Sequence, residues 1–204
     1  MRALLVPVKA FRQAKLRLSA ILDNDSRERL ARRLAGIVLG ASDGLATYVA
    51  CDDDEVADWA INKGAEVLWT PGLGLSGAVM AGVSHLHNDG VELVVVAHGD
   101  LPLVRSFAGF GNENEITLAP DRRLDGTNVA AIPRGVEFEF QYGPGSFTRH
   151  RHEAQRRGVI ARVVHDWQLA CDIDVPADLE LLEPALLTAL TGMDSPHALD
   201  GLPA

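Results

Sequence analysis

Apolar and polar positions along this chain fall into segments that alternate between strand and helix periods. Ala3 to Val8 is a short apolar run. Leu30, Leu34, Ile37 and Val38 are then spaced for one face of a helix, which Asn24-Asp25-Ser26 can cap and which runs to Leu39. Leu45 to Ala50 reads as a second strand, Glu55 to Lys63 as a helix and Val67 to Trp69 as a third strand. Pro71 to Gly77 is a glycine-rich loop that feeds a helix over Ala78 to His87. The run Val91-Glu92-Leu93-Val94-Val95-Val96-Ala97 is nearly unbroken in its apolar character, as expected of a strand buried on both faces of a parallel sheet. This βαβαβαβ order predicts a three-layer α/β/α sandwich with right-handed crossovers around a mostly parallel, Rossmann-like sheet.

The second half is less regular. Glu115 to Ala119 and Val129 to Ile132 are strand-like, Phe138-Glu139-Phe140 is a short alternating strand, and a helix is predicted over Ser146 to Arg157. Val159 to Val164 and Gln168 to Ile173 read as further strands, and Pro176 opens a last helix to about Leu190. Residues from Gly192 are turn-rich, so 1–191 reads as one domain and 192–204 as a loose tail.

Composition narrows the function classes. A chain of 204 residues with 47% hydrophobic content supports one full-sized core. Its formal charge of −9 argues against a nucleic-acid surface. No apolar run is long enough to span a membrane, and the apolar start is short and followed by Lys9, Arg12, Lys15 and Arg17, unlike a signal peptide. Cys51 and Cys171 are too few and too distant for a disulfide scaffold or a zinc site, which fits buried thiols in a reducing cytoplasm.

Three regions can carry chemistry. The central apolar run ends in His98-Gly99-Asp100-Leu101-Pro102, and Pro102 cannot donate to a sheet ladder, so Asp100 falls at the carboxyl edge where open α/β sheets bind ligands. Asp100 could equally cap a following helical turn. Near the chain's end, Asp172 and Asp174 of Cys171-Asp172-Ile173-Asp174-Val175-Pro176 lie two apart on an expected strand and would share a face. With Asp100 they could serve a hard divalent cation such as Mg²⁺, although Asp174 alone could cap the helix at Pro176. The second region, Pro7-Val8-Lys9 through Lys15-Leu16-Arg17, follows the first strand and suits a polyphosphate; a solvated basic face is the simpler alternative. The third comprises Asp125-Gly126-Thr127-Asn128 and Tyr142-Gly143-Pro144-Gly145-Ser146. The latter precedes a helix, so its amides and Ser146 could form an anion pocket, or simply an ordinary capped turn.

Taken in order, Val6-Pro7-Val8-Lys9 with Ala14-Lys15-Leu16-Arg17-Leu18, Gly99-Asp100-Leu101-Pro102, Asp125-Gly126-Thr127-Asn128, Tyr142-Gly143-Pro144-Gly145-Ser146-Phe147 with His150, and Asp172-Ile173-Asp174-Val175-Pro176-Ala177-Asp178-Leu179 resemble one family. That family is the CofC/FbiD-type guanylyltransferases of coenzyme F-420 biosynthesis, which act on 2-phospho-L-lactate or phosphoenolpyruvate. The resemblance spans roughly residues 3 to 185. It implies a sheet of the nucleotide-diphospho-sugar transferase type and transfer of GMP from GTP to phosphoenolpyruvate, 2-phospho-L-lactate or 3-phosphoglycerate, with release of pyrophosphate. Pro7, Lys9, Lys15 and Arg17 match the segment that holds the GTP phosphates, Lys15 with a catalytic part. Gly74 and Ser76 lie in the guanine-side loop, where many relatives have Asn in place of Ser76. Asp100, Asp172 and Asp174 match the carboxylates for Mg²⁺, with Asp100 and Asp174 favoured as the catalytic pair. Thr127, Gly143 and Ser146 match the pocket for the phospho-acid. The implied partners are GTP and this acid, with no nucleic acid or membrane and with a homodimer left open. A nucleotidyltransferase for a molybdopterin cofactor or a sugar phosphate is the nearest alternative, disfavoured by the lack of a Gly-Gly-x-Gly first loop. A nucleotide-binding module without turnover is a third.

Overall fold

The computed structural model describes residues 1–192, so the tail reading for 192–204 lies, Gly192 apart, outside the described residues. Its centre is a seven-stranded sheet in the order β3-β2-β1-β4-β6-β5-β7. The strands are β1 (Arg2–Pro7), β2 (Ala46–Cys51), β3 (Glu66–Trp69), β4 (Leu93–Ala97), β5 (Ile116–Pro120), β6 (Thr127–Pro133) and β7 (Ala161–Val163). Pairings β1–β2, β1–β4, β2–β3 and β5–β7 are parallel, whereas β6 runs antiparallel between β4 and β5. The mostly parallel α/β sandwich expected from the alternating pattern is what the chain forms.

Helices α1 (Asn24–Gly40) and α2 (Asp54–Asn62) cover one face of the sheet, where Leu4, Val6, Val95 and Ala97 pack with Ala35, Val38, Val56 and Trp59. On the opposite face, α3 (Gly74–Asn88) and α4 (Ser146–Arg156) cover Leu5, Val94 and Val96 with Val79, Val83, Leu86 and Phe147. Both sides of β1 and β4 are therefore dry, which is why those strands carry no alternating polar residues. A third cluster joins Leu18, Leu22, Leu30 and Leu34 to Ile173, Leu179, Leu187 and Leu190, pinning the chain's C-terminal part against α1 and the loop after β1.

Several expectations for the second half are corrected. Phe138 to Phe140 pairs with no strand; its alternation instead stacks Phe138 and Phe140 around the buried His150 ring. Gln168 to Ile173 is not a strand either. Asp166 accepts hydrogen bonds from the Gln168 and Leu169 amides and caps a short helix, α5 (Trp167–Ala170), after which the chain is irregular. The single helix expected from Pro176 is two, α6 (Pro176–Leu179) and α7 (Pro184–Thr191), because proline disfavours helical backbone at the preceding residue, Glu183. Helix α3 begins at Gly74, so the loop before it is shorter than the glycines suggest.

Candidate active site

A cavity of about 710 Å³ opens at the carboxyl edge of β1 and β4. Its first wall is the loop after β1. Phe11 anchors that loop edge-to-face on Trp59, with ring centroids 5.2 Å apart, and Leu18 drops into the third core cluster. Between the two anchors, Lys15 takes the left-handed conformation (φ 54°, ψ 35°), uncommon for a side chain bulkier than Asn and a kind of local strain that clusters at functional sites. Its side chain is only 9% exposed, and Nζ donates to Asp100 Oδ2 at 2.6 Å and to the Ile173 carbonyl at 2.5 Å. Arg17 pairs in the same way with Asp174. Two loop cations thus meet two carboxylates from distant segments.

Asp100 caps no helix, which settles its alternative reading. Burial alone would raise its carboxyl, but the groups around it, the Lys15 ammonium foremost, together hold it below the ordinary carboxylate value. Its second oxygen, Oδ1, is buried without a hydrogen-bond partner. Asp172 stands close enough to feel Asp100: burial first, and the Asp100 charge second, push it up to about 6. Asn128 bridges it to the fold, donating to Asp172 Oδ1 at 3.3 Å and to the Leu169 carbonyl at 3.0 Å. Asp172 and Asp174 do not sit on a strand. They flank the buried Ile173, whose amide donates to the Asp100 carbonyl at 3.2 Å, and both line the cavity. Nor does Asp174 cap α6, since its amide and that of Val175 donate to Asp178 Oδ2, each at 2.8 Å.

The opposite wall comes from the β5–β6 turn and the segment before α4. Asp121 holds the turn by accepting from the amides of Arg123, Asp125 and Gly126 at 2.9–3.0 Å. Gly143 (φ 109°) and Gly145 (φ 74°) adopt backbone that other residues resist, and a Cβ on Gly145 would meet Arg149 Nη1 at 3.2 Å. The expected anion pocket at the start of α4 is occupied by the chain itself. The Gly145 amide donates to Asp125 Oδ1 at 2.9 Å, the Phe147 amide to the Asp125 carbonyl, and the Ser146 amide to the Gly143 carbonyl.

Of the residues singled out by sequence, Pro7, Lys9, Lys15, Arg17, Asp100, Gly143, Ser146, Asp172 and Asp174 line this one cavity. Thr127 does not; it is buried, with its hydroxyl 3.0 Å from His150 Nδ1, while its neighbours Gly126 and Asn128 face inward. Gly74 and Ser76 fall in α3 rather than in a loop, and Ser76 Oγ accepts the Tyr142 amide at 3.0 Å, so that Leu75 between them reaches the cavity. Sequence reasoning passed over His98, Asp121 and Arg123. An Asp that opens a glycine-containing turn was a legible signal for Asp121, because Asp commonly bonds the amides that follow it. His98 and Arg123 carried none.

An open α/β sheet with paired cations and carboxylates around a cavity at its carboxyl edge has its site where proteins of this architecture bind ligands. The fold superimposes on that of a nucleotidyl transferase from Methanothermobacter thermautotroptrophicus (TM-score 0.61, 12% identity, covering 93% of this chain and 99% of that one). The "Guanylyl transferase CofC like" family model matches residues 1–184, and the chain belongs to that family. Relatives include a phosphoenolpyruvate guanylyltransferase from Sphaerobacter thermophilus, 36% identical over 87% of this chain and 90% of that one. A 2-phospho-L-lactate guanylyltransferase from Halorubrum lacusprofundi is likewise 36% identical, over 82% of this chain and 78% of that one.

Proposed function

We propose that this chain transfers GMP from GTP to a small phosphorylated carboxylic acid, namely phosphoenolpyruvate, 2-phospho-L-lactate or 3-phosphoglycerate, in the coenzyme F-420 route that its family serves. The observation that carries this reading is the facing of Lys15 and Arg17 onto Asp100 and Asp174 across one cavity. A polyphosphate entering there finds both cations within reach of its oxygens, and the carboxylates they leave become free for a divalent ion.

The acceptor's phosphate oxygen attacks the α-phosphorus of GTP and pyrophosphate departs. A phosphomonoester is already largely ionised near neutrality, its second pKa being about 6, so the step requires no general base. This agrees with the site's imidazoles: burial keeps His98 and His150 below the ordinary histidine value and hence neutral. Lys9, Lys15 and Arg17 hold the triphosphate and stabilise the leaving pyrophosphate, while Asp100 and Ile173 position the Lys15 ammonium until the nucleotide arrives.

The residues fit a hard divalent cation. Asp100 Oδ1 is buried and unpaired although Lys15 holds Oδ2, and Asp172 is pushed upward by burial and then by the Asp100 charge, as expected of a carboxylate short of a counter-ion. Among the described residues no cluster of three or more His, Cys, Asp or Glu could hold a metal by itself. Mg²⁺ typically takes only one or two carboxylates and completes its shell with water and substrate phosphates. Asp100 with Asp172 or Asp174 would hold it, and bound there it would neutralise phosphate charge and reduce the repulsion between the two anionic substrates.

Incubation with GTP, Mg²⁺ and each of the three acids, with pyrophosphate as the readout, tests the reading. Release with at least one acid is expected. No release with any of them overturns the proposal.

A further inference from the structure

We propose that Ser76 is a positioning residue that fixes the acceptor wall of the cavity against its nucleotide wall, an inference that rests on the function proposed above. The nucleotide wall comprises the loop after β1, the end of β4 and the first turn of α3, where Leu75 reaches the cavity. Residues 141–145 of the facing wall belong to no strand or helix, so hydrogen bonds to other segments decide where they lie. Most of those bonds come from the same wall. The Gln141 amide donates to His150 Nε2 at 2.9 Å, Arg149 donates to the Gln141, Gly143 and Pro144 carbonyls, and the Gly145 amide donates to Asp125. Such bonds stiffen the segment without setting its distance from the nucleotide. Among the described hydrogen bonds of this segment, only that from the Tyr142 amide to Ser76 Oγ, at 3.0 Å, crosses to the other wall.

What that bond fixes lies in the cavity. Tyr142 and Gly143 both line it, and the Tyr142 ring packs on the His98 ring, with centroids 5.0 Å apart, two residues before Asp100. The Gly143 that follows has a φ of 109°, and its carbonyl holds the Ser146 amide at the start of α4. Movement of the Tyr142 amide would therefore reach both His98 and the first turn of α4. The anchor on the other side is firm. Helix α3 packs on the sheet through Val79, Val83 and Leu86, and it lies so close to β1 that a Cβ on Gly82 would meet Leu5 Cδ2 at 2.7 Å. Ser76 itself does not line the cavity, so it acts through Tyr142 rather than on a substrate. Its hydroxyl oxygen can accept the amide, which an alanine methyl cannot.

Amide hydrogen exchange and steady-state kinetics of Ser76→Ala and Ser76→Thr test this role. Ser76→Ala removes the accepting oxygen but favours the helix, alanine being the better helix former. The Tyr142 amide should then exchange about ten-fold faster or more. At saturating GTP, kcat/KM for whichever of the three acids the wild type uses should fall about ten-fold, while the KM for GTP and the preference for GTP over ATP stay within about two-fold. Ser76→Thr keeps the oxygen and should recover most of both losses. Four results overturn the assignment. They are a Tyr142 amide that exchanges equally fast in wild type and Ser76→Ala, an unchanged kcat/KM for the acid, and a Ser76→Thr no better than Ser76→Ala. The fourth is a raised KM for GTP or a lost preference for it, which would make Ser76 a reader of the nucleotide. Wild-type protein that releases no pyrophosphate with any acid removes the functional reading and this inference together. Active wild type with indifferent variants removes the inference alone.

Discussion

The two walls of the cavity are held by different forces. The nucleotide wall hangs on β1 and β4, whose side chains are buried on both faces and packed by regular crossover helices, so its frame rests on apolar burial. The acceptor wall is irregular, and buried carboxylates take over the role of a ladder. Asp121 gathers three amides of the β5–β6 turn, and Asp178 gathers two amides and two arginines. Glu153 gathers Arg156, Arg157 and the Glu139 amide. The nucleotide wall should therefore tolerate loss of charge in its frame, whereas the acceptor wall should fail when one carboxylate is removed. On the proposed function, the difference would put the adaptable part of the site where acceptors differ, and the rigid part where the triphosphate is constant.

The largest expected effect is that of Asp100→Asn on the boundary between the walls. A neutral amide is a poorer partner for Lys15 and for a divalent ion, so turnover should fall by about 10²–10³ with the fold intact by circular dichroism. Near-normal turnover would remove Asp100 from the chemistry. Next comes a break in the acceptor wall. Asp178→Ala leaves two amides without their partner and two arginines that water can still reach, a loss of roughly 1–3 kcal/mol. Chemical denaturation should show that loss, and a change below about 1 kcal/mol would contradict the role given to Asp178.

A third test sharpens the comparison through pH. His150 lies fully buried beneath the acceptor wall, accepting the Gln141 amide at Nε2, and burial followed by the Arg149 charge pushes it down to about 4. Because its folded value lies below its unfolded one, the unfolded state binds more protons between about pH 6.5 and 4. Stability from this residue is then complete above that window and falls by roughly 3 kcal/mol across it. Melting curves of His150→Gln should be flatter than wild type over that range, and parallel curves would refute the assignment. The smallest effect is Thr127→Val, which removes the hydroxyl partner of His150 and should cost about 1 kcal/mol with little change in KM for the acceptor. A KM rise of about ten-fold would return Thr127 to the substrate pocket.

The contrast between the walls also explains what could be read from the sequence. Strand β4 and Asp100 were legible because a run buried on both faces has one appearance and must end at the sheet's edge. The segment around Asp172 reads as a strand because Leu169, Cys171 and Ile173 fall at a spacing of two, with Asp172 and Asp174 on the alternate positions that follow. That spacing arises instead from a short capped helix followed by Ile173 dropping into the third core cluster. Likewise the alternation of Phe138 and Phe140 serves an aromatic stack on His150, a contact between segments that no local pattern encodes. The motifs found most of the lining residues, but which side of β6 would carry Thr127 depended on the pairing register. A strand period of two makes adjacent residues alternate faces, and this register turned Asn128 to the cavity and Thr127 away.

The central claim is that the two walls bring an acceptor phosphate onto the α-phosphate of GTP. ³¹P nuclear magnetic resonance of a reaction containing GTP, Mg²⁺ and phosphoenolpyruvate, 2-phospho-L-lactate or 3-phosphoglycerate reads that bond directly. The account predicts a new phosphoanhydride pair joining GMP to the acceptor's own phosphate, with stoichiometric pyrophosphate. Unchanged spectra with all three acids, or hydrolysis to free GMP without the new linkage, would contradict it.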